Sequence, residues 1–134
     1  MIALSNDVRF PPDHEWNKPE SKIPGNHRSA ADLKSLFDDY ITSSNEGMRK
    51  PSKEIYELAL QRLNRVAKGK GDDNRIQGHE VVFLDDIGEN LKAAKDMGMQ
   101  TIKVQLGKTF RAVKELEMIL KMDLMDAKTR KAKL

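Results

Sequence analysis

The stretch VFLDDIGENLKAAKDMGMQTIKV, residues 82–104, decides the fold, because an apolar strand, a helix and a second β-branched strand follow one another in it with hardly a spare residue. Residues 81–84 form a short continuous apolar run, as a parallel strand buried on both faces does. Gly88 lets the chain turn into a helix predicted over residues 89–97, Gly98 occupies the left-handed position that ends it, and residues 101–104 resume a strand. Such a strand–helix–strand unit builds an open parallel α/β sheet, and these sheets collect ligands outside the carboxyl ends of their strands. Asp85 and Asp86 fall at that place. They read equally well as caps for the helix start or as oxygen ligands for a hard cation such as Mg²⁺, which takes one or two carboxylates beside a substrate phosphate.

Two other segments bear on that choice. In MRKPSKEIYELALQRL, residues 48–63, Pro51 suits the opening turn of a helix, and Ile55, Leu58, Ala59 and Leu63 recur at helical spacing. Lys50 therefore stands just before a helix N-terminus, where its charge opposes the helix dipole. An ammonium beside carboxylates and a transferring phosphoryl group has a reason to be there; a solvated surface lysine is the plainer reading. At the start, MIALSND, residues 1–7, is a very short apolar run ending in Ser5 and Asn6. Their hydroxyl and amide can hydrogen-bond an anionic oxygen or form an ordinary turn.

Taken in order along the chain, the three segments resemble the haloacid dehalogenase-like hydrolase superfamily, and within it the phosphatase-like domain of the epoxide-hydrolase type. Ser5 with Asn6 resembles the second motif, Lys50 with Pro51 the third, and FLDDIGEN the fourth. The similarity covers roughly residues 1–106 and is strongest in GMRKPSKEIYELAL and VVFLDDIGENLKAAKDMGMQTIKV. It implies a Rossmann-like α/β core and a small phosphorylated molecule as substrate. Ser5, Asn6 and Lys50 would bind the phosphoryl group, with Lys50 neutralising developing charge; Asp85 and Asp86 would hold Mg²⁺, and Asn90 would fasten the metal loop. Relatives that break carbon–halogen bonds usually carry Ser in place of the Asp-Asp pair, which disfavours dehalogenase chemistry.

The family's first motif is an Asp-x-Asp on the central strand, whose first carboxylate attacks phosphorus. No Asp-x-Asp occurs in these 134 residues. Asp7 and Asp13 are not so spaced, and Asp38 and Asp39 are predicted on an amphipathic helix. The expectation is an incomplete parallel sheet without its central first strand, divided between the strands that end at Ser5 and at Asp85. Its unpaired edges would invite self-association. Without the group that forms the covalent intermediate, the isolated chain is expected to be inactive; the alternative is a catalytically silent binding protein or a truncated product of a family gene.

Composition adds limits. The charged fraction of 34% and mean hydropathy of −0.67 describe a water-facing chain, and no apolar run reaches membrane-spanning length. The absence of cysteine excludes disulfides and thiolate metal sites, in keeping with a cytoplasmic location. His14, His27 and His79 lack zinc-ligand spacing. Residues 1–106 are read as the partial core and 107–134 as an amphipathic helix with a basic tail. In that helix Phe110, Val113, Leu116, Leu120 and Leu124 share one side, Met118, Met122 and Met125 fill gaps, and Lys128, Arg130, Lys131 and Lys133 follow. No aromatic platform accompanies the tail, so it gives no strong nucleic-acid or membrane signal.

Within the rest of the chain, the proline-rich residues 10–28 read as an irregular loop packed by Trp16, Ser29 as the cap of a helix over residues 30–39 with Leu33, Leu36 and Phe37 buried, and residues 40–43 as a strand. The glycine-bearing residues 68–78 read as a solvated loop. Asp72 and Asp73 belong to it and are not taken as a metal site.

Overall fold

In a computed structural model of the chain, residues 1–14 and 30–126 are described. They fall into two compact units, Met1–Ile76 and Gln77–Leu134. Each is built on one pair of parallel strands.

In the first unit, β1 (Ile2–Ser5) pairs in parallel with β2 (Asp39–Thr42), in a register that sets Ile2 beside Asp39 and Ser5 beside Thr42. Parallel neighbours need a crossover, and the described part of this one is α1 (Ala30–Lys34). A single helical turn, α2 (Ser43–Glu46), follows β2 and ends in Gly47 at φ 67°, a left-handed position that glycine takes without strain. The long helix α3 (Lys53–Gly69) then packs on both strands. Its buried residues are Ile55, Tyr56 and Ala59, and Ile41 of β2, on which the helix packs, is fully buried too. Burying an isoleucine side chain contributes about 1.5–3 kcal/mol, so Ile41 and Ile55 are the centre of this small core.

Three local expectations give way here. α1 stops at Lys34 instead of running to residue 39, and Leu36 is exposed. The Ser35 hydroxyl donates to the Asp32 carbonyl at 2.7 Å, one of the side-chain bonds by which serine competes with helix continuation. Asp38 therefore lies in a turn and Asp39 opens β2, so neither is on a helix. Pro51 lies outside the first helical turn: Ser52 is the N-cap of α3, and Pro51, joined to Lys50 by a cis peptide bond, sits one residue further out. Lys50 is held out of the helix because Asn6 takes both its backbone N–H and its carbonyl.

The second unit opens on a single 3₁₀ turn (Gly78–Glu80), and β3 (Val82–Asp85) then pairs in parallel with β4 (Gln100–Lys103), setting Val82 beside Gln100 and Asp85 beside Lys103. α4 (Gly88–Asp96) connects them and packs on both, while α5 (Thr109–Leu120) packs on β4. Gly98 adopts φ 80° after α4, the left-handed stop read from the sequence. Gly78 has a different reason to be glycine: a Cβ there would lie 2.3 Å from the Met97 carbonyl oxygen.

β3 is less buried than a two-faced parallel strand. Leu84 is 37% exposed, whereas Ile102 of β4 is fully buried. Among the described residues β3 is laddered to β4 alone, and α4 packs on it within the unit. α5 also ends earlier than its apolar pattern, at Lys121 with φ 53°. The buried Glu117 carboxylate accepts the backbone N–H groups of Leu124 and Met125 at 2.7 and 2.8 Å, which draws the chain off the helix axis. Leu120, Leu124, Met118 and Met122 lie exposed instead of packing along one side.

Among the described residues no helix is long and apolar enough to cross a membrane. Trp16, His27, Ser29 and the basic residues Lys128, Arg130, Lys131 and Lys133 lie outside the described residues.

Candidate functional site

The residues singled out at the start of the chain and at Lys50 come together in the first unit. Asn6 lies just past the end of β1, and its side chain makes a reciprocal pair with Lys50: Nδ2 donates to the Lys50 carbonyl at 2.9 Å, and the Lys50 N–H donates to Oδ1 at 2.8 Å. The Lys50 ammonium turns back and donates to the Leu4 carbonyl at 2.9 Å. Lys50 is thereby placed at the carboxyl end of β1, beside Ser5. The Ser5 hydroxyl is half-buried and makes no hydrogen bond among the described residues, so it keeps its donor and its lone pairs for another partner. Asn6 is different. Its amide is engaged with the Lys50 backbone, which makes it a fastener of the lysine.

Asp7 is the residue that sequence reasoning passed over. Its backbone N–H donates to the Ser43 hydroxyl at 3.0 Å, and its carboxylate accepts from the Ser43 hydroxyl at 3.1 Å, the Ser44 N–H at 2.8 Å and the Ser44 hydroxyl at 2.7 Å. Partial burial pushes the Asp7 carboxyl up, but the hydrogen bonds from Ser44 and Ser43 outweigh it and hold the group below the usual carboxylate range. The signal in the sequence was only a pair of serines thirty-six and thirty-seven residues away, and no local rule joins them.

In the second unit, Asp85 ends β3 and is 7% exposed. Its Oδ1 accepts the Ile87 N–H at 2.8 Å and the Asn90 amide at 3.1 Å, and its Oδ2 accepts the same amide at 3.2 Å. The bond to residue i+2 is an Asx turn. The N-cap of α4 is Ile87, which has no side-chain cap, so neither aspartate caps this helix in the usual manner. Asp86 is exposed and makes no side-chain hydrogen bond or ion pair among the described residues. Asn90, 3% exposed, lies in the first turn of α4, and its amide donates back to Asp85.

The donor set fits a hard divalent cation. Both side chains offer carboxylate oxygens at the carboxyl end of a strand, Asp85 held by Ile87 and Asn90 and Asp86 exposed. Among the described residues no cluster of three or more His, Cys, Asp or Glu side chains is placed to hold a metal ion, so two carboxylates are what this loop contributes.

Two parallel strand pairs, each presenting polar groups where a strand ends, define an α/β protein of the kind that binds at strand termini. The family model for haloacid dehalogenase-like hydrolases matches residues 17–98, more than half the chain, and the chain belongs to that family. Relatives include mouse acyl-CoA dehydrogenase family member 10, 44% identical over 84 residues that make up 63% of this chain and 7% of that protein. Rat bifunctional epoxide hydrolase 2 is 42% identical over 88 residues, 66% of this chain and 14% of that protein. The glyceraldehyde 3-phosphate phosphatase of Methanocaldococcus jannaschii is 32% identical over 74 residues, 54% of this chain and 28% of that protein. The chain thus spans a small part of the length of each. The same fold occurs in an uncharacterized protein of Corynebacterium glutamicum, with a TM-score of 0.55 at 19% identity, over 80% of this chain and 72% of that one.

Proposed function

We propose that the chain carries two half-sites of a phosphohydrolase of its family: an anion half-site at Ser5 and Lys50, fastened by Asn6, and an Mg²⁺ half-site at Asp85 and Asp86, fastened by Asn90. The observation that carries this reading is the placing of the Lys50 ammonium on the Leu4 carbonyl, next to a Ser5 hydroxyl with no other partner among the described residues. A cation and a free hydroxyl at one strand end suit the oxygens of a phosphoryl group. Mg²⁺, when bound, supplies charge neutralisation to such a group. Asp85, ordered by Ile87 and Asn90, and the exposed Asp86 are the residues that would hold it. The substrate class we assign is a small phosphorylated compound, supported by the phosphatase among the relatives.

We further propose that the 134-residue chain binds without turning over, since it contains no Asp-x-Asp to supply a nucleophile. In that case the chain acts as a catalytically silent binding protein, and the placing of Lys50 beside Ser5 at one strand end supports binding equally well. The pairing of only two strands in each sheet among the described residues is the basis for proposing self-association through strand edges, which light scattering across a concentration series would detect.

Amide NMR tests the half-sites separately. Added Mg²⁺ should move residues 85–88 first, and shifts concentrated at Asp72 and Asp73 would refute the metal assignment. With Mg²⁺ and an aryl phosphate, no turnover is expected. Metal-dependent hydrolysis abolished by Asp85→Asn would show that the chain is an enzyme by itself.

A further inference from the structure

The anchors around Ser5 form a series. Leu4 is held through its carbonyl by the Lys50 ammonium, Asn6 by the Lys50 backbone, and Asp7 by Ser43 and Ser44. Ser5 itself is in register with Thr42, the last residue of β2. If the parallel ladder simply continued, Asn6 and Asp7 would run beside Ser43 and Ser44. It does not continue, because the backbone curls into α2 at Ser43. The Asp7 carboxylate bridges the divergence, taking two hydroxyls and one N–H from the curling turn, while the Asp7 N–H reaches the Ser43 hydroxyl. The segment that carries Ser5 is thus tied down on both sides, and the Ser5 hydroxyl is the polar side-chain group in it that engages no described residue.

We infer that Asp7 is a positioning residue for the anion half-site: its ties to Ser43 and Ser44 hold the chain after β1 so that the Ser5 hydroxyl is presented to a phosphoryl oxygen. This rests on the proposed role of Ser5 and deepens it. A role confined to capping α2 is the competing account, since Thr42 provides no side-chain cap and the Ser44 N–H needs an acceptor. The two accounts differ in sign. Asp7 is an anion close in sequence to the group that would receive another anion. If its role is only to cap α2, removing its charge leaves phosphate affinity unchanged or raises it, because a like charge has gone. If it positions Ser5, affinity falls despite the lost repulsion, because the ligand must then order the segment itself.

The test is a titration of the full chain with inorganic phosphate at neutral pH, followed at the amides of residues 4–7, for wild type, Asp7→Ala and Asp7→Asn, with thermal midpoints measured alongside. Positioning predicts dissociation constants weakened about five- to tenfold in Asp7→Ala and less in Asp7→Asn, which keeps an oxygen acceptor for the Ser44 N–H. Should Asp7→Ala fail to fold, the double variant Ser43→Ala, Ser44→Ala leaves Asp7 in place while removing both hydroxyl donors, and it should weaken phosphate binding in the same direction. A variant that melts earlier yet binds phosphate as well as wild type, or better, overturns the inference and leaves the half-site standing. Wild type that binds no phosphate at residues 4–7 overturns both.

Discussion

The two strand pairs are alike in plan and unlike in what fixes their polar ends. Each pairs four residues with four in parallel, and each presents its candidate residues at the last position of its first strand and just past it. In the second unit the acidic residues are organised locally: Asp85 is bound by Ile87 two residues on and by Asn90 five residues on. In the first unit every tie is long in sequence, from thirty-six residues for Asp7 with Ser43 to forty-six for Lys50 with Leu4. A loop that carries its own fasteners keeps its shape as long as one turn of helix survives. A loop fastened from afar depends on the whole unit being folded, because loop closure must occur before such contacts can form.

The largest effect that would test this contrast is expected at Asn90. Asn90→Ala removes the amide that serves both oxygens of a nearly buried carboxylate, and leaving such a group short of donors costs roughly 3 kcal/mol. Chemical denaturation should show the loss, and backbone shifts should stay confined to residues 85–90. If Asn90→Ala instead disturbs the second unit as a whole, the local character assigned to this loop is wrong.

Asn6→Ala comes next. It deletes two hydrogen bonds to the Lys50 backbone, each worth about 1 kcal/mol, and it should loosen residues at both ends of a forty-four-residue separation. Hydrogen exchange would show the spread. Faster exchange near residue 6 with none near residue 50 would mean that the amide pair does not couple them.

The smallest effect concerns acid. Because the Asp7 carboxyl is held below its ordinary value in the folded chain, its stabilisation is fully present above the unfolded value near 4 and is lost as the pH falls through the lower folded value. Asp7→Asn should therefore be less stable than wild type at neutral pH, by no more than about 1 kcal/mol for so exposed a group, and the gap should close below about pH 4. A gap that persists unchanged into strong acid would assign the loss to altered hydrogen bonding and not to the charge.

The same contrast explains what the sequence disclosed. Residues 82–104 could be read almost to the residue, with each strand shifted by one position, because strand, turn and helix signals there are contiguous. Asn90 was named only through the family resemblance, and its amide lies on the Asp85 carboxylate five residues back. Lys50 could be singled out but its partner could not, since nothing local points from residue 50 to the Leu4 carbonyl. Asp7 is set aside in the sequence for lacking Asp-x-Asp spacing, and nothing local there points to Ser43 and Ser44. Tyr56 is fully buried although the helical pattern read from Ile55, Leu58, Ala59 and Leu63 does not include it. The small, incomplete parallel pairing was foreseen only through the family resemblance, since no residue within either strand pair signals how many strands a sheet holds.

The Asn6–Asp7 peptide carries one more consequence, which concerns how the protein ages. An asparagine deamidates when the next residue's backbone nitrogen closes on its side-chain carbonyl carbon, a reaction that needs both groups free to swing together. Here the Asn6 amide is fixed at both ends to Lys50, and the Asp7 nitrogen is occupied by the Ser43 hydroxyl. The folded chain therefore protects this bond from chemical decay, and damage would accumulate in molecules that have opened. Once formed, an aspartate at position 6 has no N–H to offer the Lys50 carbonyl, so an opened molecule that deamidates cannot close the same clasp again.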